Sequence, residues 1–409
     1  MPFTYRNGAL CADDVALDEL ARRFGTPCYV YSQASIEAAY GEFSKAVEGR
    51  DARICYSVKA NSNLAILALL ARLGAGFDIV SGGELARVIA AGGDPCKTLF
   101  SGVGKSEAEL RFALEKNIGC INVESESELS RVNAVAGQIG RRAPIALRVN
   151  PDIDAKTHPY ISTGLRDTKF GVAHADAERL YRKASAMKSV EVIGIGCHIG
   201  SMLQEAAPFV AAAERLISLV ERLESAGIRL KHIDFGGGIG IRYRDEAPQP
   251  PGVFVAGVLA ALGKRRHAVI FDPGRSIVGN AGLLLTRVEY VKPRFLVVDA
   301  GMNDLIRPAL YGAWHEVRTV KESPGPAAVY DIVGPVCESA DFLAKDRELA
   351  AGEGDFLAIM SCGAYAMAMS SNYNSRPRAA EVLVTKGSAR LVRRRESVED
   401  LFALERIQG

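Results

Sequence analysis

The stretch I54-C-Y-S-V-K-A-N61 runs from apolar and β-prone residues into a lysine and then into small and polar residues. It reads as a buried strand, Ile54–Val58, that delivers Lys59 to the mouth of a sheet. An ammonium placed there sheds water, which lowers its pKa and frees the amine as a nucleophile or Schiff-base partner. Taken alone, the stretch favours a solvated lysine at a strand end. What the other strands carry decides between the two.

Outward from Lys59 the chain alternates. Further apolar strands are expected at Phe77–Val80, Thr98–Ser101, Cys120–Val123, Ile145–Val149, Val192–His198, His232–Phe235 and Ala268–Phe271. Helical patterns fall between them, at Asn63–Leu73, Gly83–Ala91, Ser106–Lys116, Ser125–Ile139, Asp176–Met187 and Pro208–Ala226. The connections Lys156–Ala173 and Asp245–Gly263 are partly irregular, the second with a helix near Val255–Leu262. Eight strands with crossovers predict an α/β fold, a closed (β/α)8 TIM-like barrel over residues 33–274, with a doubly wound open sheet as the competitor. Many of the strands are short and continuously apolar, as covered faces require.

After Arg275 the rhythm changes. Gly282–Lys292, Phe295–Gly301, Ala327–Gly334, Asp355–Ser361 and Ala379–Arg394 read as strands without long helices between them, the last folded tightly at Thr385–Gly387. An all-β domain, sandwich- or barrel-like, is expected over residues 275–409. Residues 1–32 are expected to join it, with a helix at Val15–Phe24 and, after the Gly25–Pro27 break, a strand at Cys28–Tyr31.

Composition narrows the function classes. The 409 residues suffice for two domains, and 50 basic against 48 acidic residues leave a net charge of +2. Nothing there points to nucleic acid or an anionic membrane as partner. No apolar run is long enough for a membrane span, and MPFTYRNGALCADD does not read as a signal peptide. The eight cysteines are scattered without metal-ligand spacing and read as buried free thiols of a reducing compartment, the cytoplasm.

In such a barrel, chemistry gathers at the C-terminal ends of strands. Those positions carry Lys59; Asp78 and Ser81; Arg148 and Asn150; His198; Gly236, Gly237 and Gly238; and Asp272-Pro-Gly-Arg275. The three glycines let backbone N–H groups approach an anion without Cβ interference, though a purely structural turn remains open. FGGGIG comes too late in the series for a dinucleotide fingerprint. His198 ends a very apolar strand and reads either as a satisfied core histidine or as a site residue. The six histidines show no metal-binding spacing. A lysine amine, a phosphate cradle and an acid such as Asp272, suited to a basic ring nitrogen, together describe pyridoxal phosphate.

Twelve motifs then fall in order along nearly the whole chain. They are YSVKAN (56–61), GFDIVSGGEL (76–85), NVES (122–125), RVNP (148–151), THPYISTG (157–164), KFG (169–171), HIGS (198–201), GGG (236–238), DPGR (272–275), NDLIRPALY (303–311), GPVCES (334–339) and SSNYNSRPR (370–378). The set resembles the diaminopimelate decarboxylase family of pyridoxal-phosphate enzymes, which join a barrel to a β domain. The resemblance implies that Lys59 binds the cofactor covalently and that His198 stacks on its ring. Ser201, Gly236, Gly237, Gly238, Gly274 and Arg275 would surround the phosphate, with Tyr365 closing that side. Asp272 would pair with the ring nitrogen, and Asp78 and Glu84 would stand behind the lysine and histidine. Arg275, Arg307 and Tyr311 would hold the substrate's remaining carboxylate, and Tyr365 would also contact the substrate. Cys337, as the proton-handling residue, and Glu338, as the ammonium ligand, would enter the site from a second subunit, making a homodimer obligatory. The implied reaction is decarboxylation of meso-diaminopimelate at its D centre to L-lysine. Decarboxylation of another basic or dicarboxylic amino acid, or a low-activity pyridoxal-phosphate-binding relative, is the alternative.

Some positions depart from the family pattern. Asp272 stands where the family usually has glutamate, one methylene and about 1.5 Å shorter. Met202, Cys362 and Ala366 also replace the usual residues. For Cys337, a buried structural thiol is the competing reading.

Overall fold

A computed structural model of the chain describes residues 2–153 and 169–407. Most of the Lys156–Ala173 connection, with the THPYISTG motif, lies outside the described residues. The chain divides into two compact units, Ala39–Ile241 with Ala247–Ser276, and Met1–Ala38 with Arg242–Glu246 and Ile277–Gly409.

The first unit is a closed parallel barrel. Its strands are β1 (Ala52–Ser57), β2 (Gly76–Ile79), β3 (Thr98–Phe100), β4 (Cys120–Val123), β5 (Ala143–Asn150), β6 (Val190–Gly196), β7 (His232–Asp234) and β8 (Ala268–Phe271). They pair in chain order, and β8 returns to β1 through Val269–Ala52 and Phe271–Ile54. That pairing closes the sheet and excludes the open, doubly wound alternative. Three of the helices start on the same signal, serine followed three residues later by glutamate. Ser81, Ser106 and Ser125 each accept the backbone N–H of that glutamate, giving helices Gly82–Ala90, Glu107–Glu115 and Glu126–Gln138. Such caps satisfy an otherwise orphaned donor and contribute about 1 kcal/mol each.

The lumen is layered by the period-two alternation of strands. Cys55, Leu99, Cys120, Ala146, Ile193 and Ile270 form an apolar plug inside the barrel. Two positions further along the chain stand Ser57, Ser101, Asn122, Arg148 and Asp272, the polar residues of the barrel mouth. On β6 the spacing is broken by a register shift between Val192 and Gly194, after which Gly196 takes the mouth position. Gly194 is demanded by its neighbour, because a Cβ there would sit 2.2 Å from Nε2 of His232.

The second unit is built on a mixed sheet. Its order is Phe342–Leu349, Ala328–Val333, Phe295–Val298, Gly282–Val291, Cys28–Ser32, Ala380–Thr385 and Ser388–Arg393, with Phe356–Ile359 branching from Gly282–Val291 and Val317–Thr319 pairing in turn with Phe356–Ile359. Cys28–Ser32 is buried along its whole length at the centre of this sheet, so the N-terminal strand does join the β unit. Lys386 and Gly387, both at positive φ, make the tight turn expected in Thr385–Gly387. Two strands of this sheet escaped the sequence reading, Val317–Thr319, which is short, and Phe342–Leu349, whose exposed Lys345 and Asp346 interrupt its apolar pattern. So did the small N-terminal sheet of Phe3–Arg6, Ala9–Ala12 and Val15–Ala16, whose last strand takes the first two residues of the expected helix, which runs from Leu17 to Phe24. Phe3, Leu17, Leu20, Val30, Leu283 and Val382 belong to the core of this unit. Among the described residues no helix is long and apolar enough to cross a membrane.

Candidate active site

The barrel mouth collects charge into a small cavity lined by Lys59, Asp78, Ser101, Asn122, Arg148, His198, Asp234 and Asp272, with Gly196 and Cys197. β1 stops at Ser57, one residue short of the expected Val58, and Lys59 sits in a single 3-10 turn, Val58–Ala60. Its side chain keeps 37% exposure, and Asp78 holds Nζ at 3.2 Å through Oδ2. Asp78 is itself held from three sides. Ser57 and Ser101 donate to its two oxygens at 3.2 and 2.5 Å, and Asn122 Nδ2 donates to Ser101 at 3.1 Å. Glu84 accepts the N–H of Val80 at 2.7 Å, and burial pushes its carboxyl up to about 7.

On the far side of the mouth, His198 follows β6. Its Nδ1 accepts the Gly237 N–H at 3.5 Å and stands 3.8 Å from Asp272 Oδ1. Burial, then the charges of Arg148 and Lys59, hold the imidazole well below its ordinary pKa, so the 3.8 Å approach is not an ion pair. Arg148 is engaged by Glu124 at 3.2 Å. Asp272 is buried, and its Oδ1 has no hydrogen-bond partner among the described residues. Burial, reinforced by the carboxylates of Asp234 and Asp78, raises its pKa well above the ordinary value. Asp234 accepts the Gly236 N–H at 2.9 Å and is pushed, chiefly by burial, up to about 7.

The three glycines are dictated by close approach. A Cβ would lie 2.5 Å from Cys197 O at Gly236, 2.4 Å from Asp272 O at Gly237 and 2.1 Å from Gly200 O at Gly238. Gly236 and Gly238 also adopt φ of +80° and +100°, where other residues are strained. Gly274 packs on Ser57 and Ala60, and Arg275 brings Nε and Nη2 to 3.4 and 3.2 Å from Ser201 Oγ.

In the β unit, Arg307 is buried at the start of the short helix Arg307–Tyr311, and Tyr311 and Tyr365 are half-buried, Tyr365 at φ +54°. Cys337 and Glu338 are exposed, which removes the buried-thiol reading of Cys337. The Cys337 N–H donates to Asn374 Oδ1 at 2.7 Å, so the GPVCES and SSNYNSRPR motifs meet in one place. Cys96 is also exposed, and the other six cysteines are buried.

Residues 33–279 match the family model of the pyridoxal-dependent decarboxylases, pyridoxal-binding domain. The chain is 56% identical to diaminopimelate decarboxylase of Pseudomonas aeruginosa, over 98% of each chain. It belongs to the diaminopimelate decarboxylase family. The Vibrio cholerae enzyme of the same name is 54% identical over 99% of each chain. The crystal structure of the M. jannaschii enzyme in complex with L-lysine superposes with a TM-score of 0.95 at 37% identity, covering 99% of this chain and 98% of that one. The Helicobacter pylori enzyme complexed with L-lysine gives 0.92 at 43% identity, covering 95% and 99%.

The barrel mouth fits the family's cofactor on its own geometry. It offers an amine at Lys59, a glycine cradle with no room for side chains, and a buried carboxyl oxygen at Asp272 that lacks a partner among the described residues. Asp234, Ser101 and Asn122 were missed from the sequence, although each lines the same cavity. The signal was present. Ser101 and Asn122 stand two positions after lumen residues Leu99 and Cys120, and Asp234 directly precedes the FGGG turn.

Proposed function

We propose that the protein decarboxylates meso-2,6-diaminopimelate at its D centre, giving L-lysine and CO2, as a cytoplasmic, pyridoxal-phosphate-dependent homodimer. The observation that carries this reading is the barrel-mouth cluster, in which the Lys59 amine, His198 and Asp272 line one cavity, Asp272 with one buried oxygen unpartnered among the described residues, and the Gly236–Gly238 turn meets His198 through the Gly237 N–H. Residues 33–274 are assigned as the cofactor-binding domain, with residues 1–32 and 275–409 as the β domain.

Lys59 would hold the cofactor's aldehyde, His198 its ring, Asp272 its ring nitrogen, and Ser201, Gly236–Gly238, Gly274, Arg275 and Tyr365 its phosphate side. When bound, the cofactor supplies an electron-accepting ring that takes up the electron pair left by departing CO2. Asp78 aims the Lys59 amine and, with Ser57 and Ser101, keeps it from wandering. The neutral imidazole of His198 offers a flat face without adding a positive charge. Asp272, paired with a protonated ring nitrogen, would exchange an unfavourable buried proton balance for a charge-assisted hydrogen bond.

Arg275, Arg307 and Tyr311 would bind the carboxylate that survives the reaction, with Tyr365 also against the substrate; guanidinium forks suit such a carboxylate. Cys337 would deliver a proton, and Glu338 would hold the distal ammonium, both from the partner subunit. Their exposure on this chain supports that reading.

Release of CO2 from meso-diaminopimelate by the cofactor-loaded protein is the direct test. No turnover at full loading, or preference for lysine, ornithine or arginine, overturns the assignment. The shared site has its own test. Lys59→Ala and Cys337→Ala are each expected to be inactive, and re-association of a one-to-one mixture should restore about a quarter of parental activity, because half the dimers then carry one intact site. No recovery in a verified mixed dimer would remove the partner's role.

A further inference from the structure

Arg307 is held by a set of neighbours that the family roles above leave unassigned. Nη1 stands 3.0 Å from Nε2 of His315, a residue with no exposed surface. The other ring nitrogen, Nδ1, stands 2.8 Å from the main-chain oxygen of Met360. A carbonyl oxygen only accepts and a guanidinium only donates, so the two contacts together fix the tautomer. Nδ1 carries the proton, and Nε2 presents its lone pair to Arg307.

The ring is enclosed on its remaining sides. Cys362 Sγ lies 3.7 Å from Nδ1 and donates to the same Met360 oxygen at 3.4 Å. Tyr243 meets His315 edge-on at 5.3 Å, and the Arg307 guanidinium lies 4.5 Å over the same tyrosine ring. Tyr243 is set in turn by Glu246, whose Oε2 accepts the N–H groups of Tyr243 and Arg244 at 3.0 and 2.7 Å. The guanidinium therefore has a lone pair at one edge and an aromatic face beneath it.

We propose that His315, with Tyr243 beneath the guanidinium, is a positioning residue that fixes the plane of Arg307 for the substrate's surviving carboxylate. The inference rests on the assignment of Arg307 to that carboxylate. A bidentate pair requires the fork and the carboxylate to be coplanar, and an arginine already locked in plane loses less side-chain freedom on binding. His315 acts through Arg307 and needs no contact with the reacting atoms.

L-lysine keeps the surviving carboxylate and cadaverine lacks it, so their inhibition constants against the cofactor-loaded enzyme separate this role from general damage. Glutamine at 315 can place its carbonyl oxygen near the position of Nε2, whereas asparagine stops near Nδ1. His315→Asn is expected to weaken L-lysine about tenfold and raise KM similarly, with kcat held within about threefold. His315→Gln should return L-lysine to within about threefold of the parent, and cadaverine should stay within about twofold throughout. Equal losses in both variants, or equal losses for both ligands, overturn the proposal.

Arg307→Ala separates the carboxylate assignment from the positioning role. If it leaves L-lysine inhibition unchanged, the carboxylate assignment itself fails. If it weakens L-lysine while His315→Asn does not, only the positioning role fails. Should His315→Asn not fold, Tyr243→Leu carries the test, with an expected loss of about fivefold for L-lysine and none for cadaverine. An unchanged L-lysine constant in that variant overturns the proposal.

Discussion

Two buried charge clusters in the same barrel are handled in opposite ways. Lys105 has no exposed side-chain surface, and its three donors are all used, on Gly102 O, Asn122 O and Glu128 Oε1, each at 2.7 Å. Glu128 also accepts the N–H of Glu124 at 2.8 Å. Asp272 is nearly as buried, yet one of its oxygens has no partner among the described residues, and its neighbours Asp234 and Asp78 are also acids. A buried charge that only holds the fold is satisfied from within the chain. One that awaits a ligand is left short. The contrast separates framework from site within a few residues of sequence, since Asn122 serves Lys105 with its main-chain oxygen and the Asp78 network with its side chain.

The largest effect is expected at Lys59, the cation that Asp78 holds. Lys59→Ala should reduce turnover by more than about a thousandfold and abolish the absorbance band of covalently bound cofactor. Retention of that band would remove Lys59 as the anchor. The framework cluster should respond in stability instead. Lys105→Met leaves Glu128 buried without its cation, and a loss of about 3–5 kcal/mol is expected by denaturant titration. A loss below about 1 kcal/mol would mean that the pair is dispensable packing.

Asp272→Asn should show the reverse balance. The native carboxyl binds its proton more tightly than the unfolded one, so it costs the cofactor-free fold stability as pH rises above the ordinary carboxylate range. Asparagine removes that cost, and the melting temperature at pH 8 is expected to equal or exceed the parent's, while kcat falls roughly a hundredfold. A melting temperature several degrees lower would place Asp272 with the framework.

The smallest effect is expected at Glu84. Its folded pKa of about 7 lies above the ordinary value of 4.5, so its contribution is full below pH 4.5 and is lost as pH rises through 7. That loss amounts to something on the order of 3 kcal/mol. Glu84→Gln in the cofactor-free protein should flatten the fall in melting temperature between pH 5 and 8. An unchanged slope would show that Glu84 titrates normally.

Much of this molecule was legible in the chain itself. The barrel strands and helices follow from runs of apolar residues alternating with helical stripes, and serine–glutamate pairs mark three of the helix starts. Lys59, His198, the three glycines and Asp272 were identifiable because strand-end position is a local property. Phe342–Leu349 was not, because its inward and outward residues do not alternate cleanly. The exposure of Cys337 was equally hidden, since an apolar thiol between valine and glutamate carries no local mark of which way it faces.

Sequence alone therefore determined the order of the eight barrel strands and which residues stand near their ends, because both depend on neighbours along the chain. Tertiary structure alone decided which of those residues share a cavity. Ser57 reaches the Asp272 main-chain oxygen at 3.0 Å only because β8 closes onto β1, and His315 reaches Arg307 only through its seat on Met360. Contacts across such separations are set by sheet closure and core packing, and no local pattern encodes them.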